Sequence, residues 1–123
     1  MKEAGIAAAI LLVGMMATGA AMADGNTLLT QCQQFIKASD RDRDFDQGQA
    51  GMCIGFVEGV LSTTAFFSEN LENEARLCVP ENATNGQLAR VVVKYLKDNP
   101  AKLNQGKTGL VWLAMKDAYP CTK

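Results

Sequence analysis

Cys32, Cys53, Cys78 and Cys121 are the residues of this 123-residue chain best suited to chemistry, and their spacing restricts which chemistry. No two form a C-x-x-C pair, so a thiol relay of that type has no motif to run on. They also lie too far apart for a zinc knuckle. An even cysteine count in a short exported chain points instead to a disulfide framework. Histidine is absent. That closes Ser–His and Cys–His nucleophile pairs, imidazole metal ligands and an imidazole pH switch. Catalysis would fall to carboxylates such as Glu58, and no second acid is spaced to pair with it. The chain reads as a non-enzyme with no cofactor and no metal.

Export is read from the first 23 residues. Lys2 gives a thin positive start, partly cancelled by Glu3; Ile6 to Met16 is a short apolar core, and Ala21-Met22-Ala23 is a small-residue cleavage site. Gly14 and Gly19 interrupt the apolar stretch, which favours a cleaved signal peptide over a membrane anchor. Residues 24–123 are then one domain, released into the periplasm. Lys2 and Glu3 cancel, so the mature part keeps the whole chain's net charge of −1. A balance so close to zero leaves no footprint for nucleic acid or an anionic membrane.

The elements that must position the cysteines are helices. Leu28, Leu29, Cys32, Phe35 and Ile36 share one face of a first helix, which a charge-dense run from Ser39 to Asp46 interrupts. A second helix is expected from about Gln47 to Phe67. Met52, Phe56, Val60 and Thr64 form its stripe, with Cys53, Val57 and Leu61 beside it. Leu88, Val91, Val92, Tyr95 and Leu96 mark a third, opened by a Thr84-x-x-Gln87 capping box and closed by Asn99-Pro100. A fourth, from about Asn104 to Ala118, turns Leu110, Val111, Ala114, Met115 and Ala118 inward, with Trp112 at its edge. Ser68 to Pro80 has room for a short extra turn. The expected fold is all-α, a small disulfide-stapled bundle of about four helices in two helical hairpins.

Four cysteines allow three pairings, and hairpin geometry selects one. Cys32 and Cys53 have the same midpoint as the Ser39–Asp46 loop, so they sit level across the first hairpin. Cys78 precedes helix three and Cys121 follows helix four, so both fall at one end of the second. Cys32–Cys53 and Cys78–Cys121 are therefore expected, each contributing ~3 to 4 kcal/mol on the chain-entropy account.

Several other patterns carry a sharp and a bland reading. Gly51, Gly55 and Gly59 recur every fourth residue of helix two, where each glycine costs ~1 kcal/mol relative to alanine. The strip serves either close packing against helix one or four, or a homodimer seam. Asp40, Asp42, Asp44 and Asp46 resemble half a calcium loop, but Phe45 stands at the glycine position and Gly51 at the glutamate position. That run is a solvated loop of alternating charge. Gly106-Lys107-Thr108 echoes a phosphate loop whose first glycine would fall at Ala101, and it reads as a connector. Asn82-Ala83-Thr84 fits a glycosylation sequon, and Thr84 is read as a helix cap instead. Glu69, Asn70, Glu72, Asn73 and Glu74 make an acidic, hydrogen-bonding stretch. It suits a basic or polar groove on another molecule.

Taken together, Cys53-x-Gly55-Phe56-Val57-x-Gly59, Cys78-Val79-Pro80, Val92-x-x-Tyr95-Leu96-x-x-Asn99-Pro100 and Ala118-Tyr119-Pro120-Cys121 resemble the Rap/Tai immunity family. The likeness runs from about Gln31 to Cys121. It implies a periplasmic, all-helical protein, commonly a homodimer, that blocks the active site of a type VI secretion peptidoglycan amidase effector. The quoted residues are structural, so no contact residue carries over. Glu69, Asn70, Glu72 and Asn73 are the expected contacts, with the Asn99–Gly106 turn as second choice. The alternative is a general periplasmic chaperone or stress protein holding unfolded clients.

Overall fold

In the computed structural model the described residues are 24–121; the expected leader, residues 1–23, lies outside them. Four α-helices are arranged in chain order: α1 Gly25–Ser39, α2 Gln47–Phe66, α3 Asn85–Asp98 and α4 Lys107–Ala118. Short 3₁₀ turns occupy Ser68–Asn70, Asn73–Ala75 and Pro100–Lys102. The described residues hold no strand, only isolated bridges between Asp24 and Gly106 and between Leu77 and Pro120. The fold is the all-α stapled bundle expected from the sequence.

Each helix end has a local cause. The Asp24 carboxylate accepts from the Thr27 amide at 3.1 Å and caps α1. Two further amides of that end, Gly25 and Asn26, donate to the carbonyls of Gln105 and Leu103. Those carbonyls are thereby committed to α1. The chain between α3 and α4 stays in a turn, and α4 begins at Lys107 rather than at the expected Asn104. At the other end of α1, Arg41 donates to Ala38 and Asp42 to Lys37, the Schellman pattern, with Arg41 at φ 62° in the left-handed region. Asp46 caps α2 by accepting from Gln49 at 2.9 Å. Thr84 and Gln87 form the reciprocal capping box of α3 as the sequence predicts.

The core is one cluster drawn from all four helices. Leu28 and Cys32 come from α1, Cys53 and Val57 from α2, Leu88, Val92 and Leu96 from α3, and Leu110, Val111 and Met115 from α4. Fully burying one such leucine or valine is worth ~1.5 to 3 kcal/mol. Cys32 is bonded to Cys53 and Cys78 to Cys121, the pairing that hairpin geometry selects.

Two inward assignments need correction. The sequence places Met52 on the packed stripe of α2, yet it is 53% exposed, and the buried line is Ala50, Cys53 and Val57. The disulfide turns the Cys53 side of the helix to α1 and carries Met52 outward; Phe56 and Val60 are left half-buried at the flank. Ala118, expected inward, is exposed; it is the last residue of α4, and Tyr119 takes the place against the core.

Candidate functional site

Helix α2 is apolar on nearly every side, but the fold uses only one side. Beyond its buried line, the opposite face carries Gly51, Gly55, Gly59 and Phe66, with Met52 at its edge, where the sulfur accepts from the Gln31 side-chain amide at 3.7 Å. A Cβ added at any of those three glycines would meet no atom within 4 Å outside its own helix. Close packing against helix one or four is therefore not what the strip does, because the staple directs the Cys53 side, not the glycine side, toward the bundle. Gly25 is the opposite case: a Cβ there would lie 2.6 Å from the Leu110 side chain and 3.0 Å from the Leu103 carbonyl. Only Gly25 lets α1 approach so closely.

The far end of α2 lies beyond the reach of α1, although Leu61 still packs at the core edge. Cys32 and Cys53 are level, so α1 starts opposite residue 60 of α2, and Leu61–Phe66 run past it. There Phe66 is 80% exposed and Phe67 49%, their rings edge to face with centroids 5.0 Å apart. Sequence reasoning takes Phe67 only as a helix end. The signal is present in the sequence, because Phe66 falls nearly opposite Cys53 and Val57 on a helical wheel.

Directly after this pair come the expected contact residues. Glu69 and Asn70 stand on the first 3₁₀ turn, Glu72 directly precedes the second and Asn73 opens it, and all four are exposed. From Asn73 to Cys78 the chain is tied down from behind. The Trp112 indole donates to the Ala75 carbonyl at 3.2 Å. The Lys116 ammonium donates to the carbonyls of Asn73 and Arg76 at 3.1 and 2.9 Å. The Cys78 amide donates to Tyr119 at 3.1 Å, next to the second disulfide. Arg76 turns back on its own segment and donates to Leu71 at 2.8 Å. Between this strap and the end of α2 runs a groove of about 300 Å³, lined by Leu61, Ala65, Ser68, Leu77 and Val79.

The other sequence patterns are absorbed by the fold. Lys107 donates to the Oε1 of fully buried Gln31 at 3.2 Å, and its ammonium stands 4.6 Å from the Phe56 ring centroid. It thus pins the start of α4 to α1 and α2. Asp40 pairs with Arg90, Asp42 accepts from the Asp44 amide, and Asp46 caps α2. In the Asn99–Gly106 turn, Leu103 and Gln105 serve α1, and Lys102 donates to the Tyr95 hydroxyl. Glu58 is exposed beside the glycine strip.

The sequence pattern of the Rap1a immunity proteins matches residues 24–121. The chain belongs to that family. No curated protein and no solved structure matches it. Membership in the Rap1a family implies an effector as partner, which fits a surface of exposed side chains better than an enclosed pocket. Among the described residues no helix is long and apolar enough to cross a membrane. The Rap1a chain thus offers two free surfaces, the open face of α2 and the acidic strip after it.

Proposed function

We propose that this Rap1a-family protein is a periplasmic, non-enzymatic immunity protein. In this reading it binds a type VI secretion peptidoglycan amidase effector and occludes the catalytic groove. The observation that carries the reading is the strip Glu69, Asn70, Glu72 and Asn73, fully presented at the free end of a stapled helix. A segment tied down by the Cys78–Cys121 bond and by hydrogen bonds from Trp112 and Lys116 loses little conformational entropy on binding, which favours tight occlusion. Carboxylates and carboxamides supply hydrogen-bond acceptors and donors to a polar cleft. Two disulfides and the leader-like start of the sequence support an oxidising compartment.

A second copy of the chain is proposed to cover the open face of α2. Each of Gly51, Gly55 and Gly59 costs ~1 kcal/mol in a helix, and no contact within the described chain offsets it. Two α2 helices crossing antiparallel about a two-fold axis would set Gly55 against Gly59 and Phe66 over Gly48, large against small. Sedimentation should find a dimer that Gly55→Leu converts to a stable monomer. A wild-type monomer at high concentration would refute the seam.

The test of the main reading is co-expression in the periplasm with the amidase effector sought in the neighbouring genes. Growth should be rescued. Continued lysis despite good expression of this protein would overturn the proposal. One observation favours the chaperone reading, namely the exposed Met52, Phe66 and Phe67. A pull-down from periplasmic extract separates the two: one dominant hydrolase supports immunity, a smear of clients supports holding.

A further inference from the structure

The two disulfides sit in opposite environments. Cys32 and Cys53 are both 0% exposed, whereas Cys78 is exposed and Cys121 half-buried. Thiol–disulfide exchange needs an attacking thiolate to reach a sulfur, so in the folded protein the fully buried first bond is closed to it, while the second pair stands at the surface. That bond closes the strap Leu71–Val79 onto the chain end. No strap residue is fully buried. Apart from Leu77 and Val79 against the core edge, it is held by side-chain donors to its carbonyls, from Trp112 and Lys116, and by the hydrogen bond from the Cys78 amide to the Tyr119 carbonyl. Segments with few buried contacts and exposed backbone bonds open locally at little free-energy cost.

We propose that Cys78–Cys121 is a redox-sensitive latch whose reduction frees the strap and the chain end from α4 while the Cys32–Cys53 bundle stays folded. The reductant is a dithiol. One of its thiolates attacks Sγ of Cys78, the S–S bond breaks, and Cys121 leaves as a thiolate and takes up a proton. The second thiolate then attacks the mixed disulfide, releasing Cys78 as a thiol and leaving the reductant as its own disulfide. Two electrons pass from the dithiol to the cysteine pair. Because Glu72 and Asn73 lie on the strap, the latch makes effector binding redox-dependent; this consequence rests on the function proposed above. Trp112 and Lys116 are then positioning residues, holding the strap in the geometry that the bond locks.

The experiment titrates the oxidised full chain with dithiothreitol. Free thiols are trapped by alkylation and mapped by peptide mass, with far-UV circular dichroism and cleavage by a glutamate-specific protease measured in parallel. A range of reductant is expected in which Cys78 and Cys121 are alkylated and Cys32 and Cys53 are not. There the helical signal persists, while cleavage after Glu72 and Glu74 rises roughly tenfold or more, as for a segment whose local opening has become easier. The Cys78→Ser/Cys121→Ser variant should show the same cleavage without reductant. Simultaneous opening of both bonds, unchanged cleavage after selective opening, or an unfolded double variant would each overturn the latch. None of these readouts involves an amidase, so failure to inhibit one bears on the proposed function and leaves the latch standing.

Discussion

The inner and outer faces of α2 are both largely apolar and meet opposite surroundings. Inside, Cys53 and Val57 are completely buried and bonded or packed against α1. Outside, three glycines meet nothing and Phe66 stands in the open, with Met52 half-exposed at the edge. Burial of apolar surface drives folding, so an apolar face left uncovered is a cost the monomer does not recover. The difference separates residues the fold buries from residues it leaves uncovered. It also yields predictions, since substitutions on the two faces should move stability in opposite directions.

The largest effect belongs to the inner staple. Cys32→Ala/Cys53→Ala should cost ~2 to 5 kcal/mol, the usual loss when a small exported domain gives up a native disulfide. Chemical denaturation with a single transition measures it. A loss no larger than that of Cys78→Ala/Cys121→Ala would break the contrast between a core staple and a surface latch.

Glycine substitutions come next. Gly25→Ala should cost ~1 to 3 kcal/mol, because the new methyl meets a buried leucine and a backbone carbonyl. Gly55→Ala, compared at a dilution where the protein is monomeric, should instead stabilise by up to ~1 kcal/mol through helix propensity alone. Thermal melts of the pair test both signs. Destabilisation at Gly55 would mean that its face is packed after all.

Much of the fold is legible in the sequence, and the misses have physical reasons. The third helix shows itself because its apolar residues keep strict helical spacing between a capping box and Asn99-Pro100. The disulfide pairing can be read from one shared midpoint, for Cys32 and Cys53, and from the common end of the second hairpin, for Cys78 and Cys121. The rotation of α2 is not legible, because a helix apolar on all sides gives periodicity nothing to discriminate; Met52 and Val57 look equally suited to a core. The late start of α4 depends on Leu103 and Gln105 being taken by the amides of α1, a tertiary demand with no local signature. The acidic strip can be read as a contact surface, but the Trp112 and Lys116 bonds that hold its strap join residues some forty positions apart.

The smallest effect concerns pH. Asp24 has its carboxyl held below the ordinary range, chiefly by the Thr27 amide it accepts from. Its cap therefore contributes stability that is fully present above the unfolded-state value and is lost as pH falls through the lower folded value. Asp24→Asn keeps the hydrogen-bond acceptor and removes the charge. Acid denaturation of the variant should lose a shallow component below about pH 4, where free aspartate titrates. Identical acid profiles would show that the charge on this cap contributes nothing.

The most direct measurement is a hydrogen-exchange footprint of the oxidised protein with and without the amidase effector proposed as its partner. Protection on binding is expected in the segment from Phe67 to Arg76, with the Asp40–Asp46 loop unchanged. Protection confined to that loop, with Phe67 to Arg76 exchanging as in the free protein, would contradict occlusion by the acidic strip.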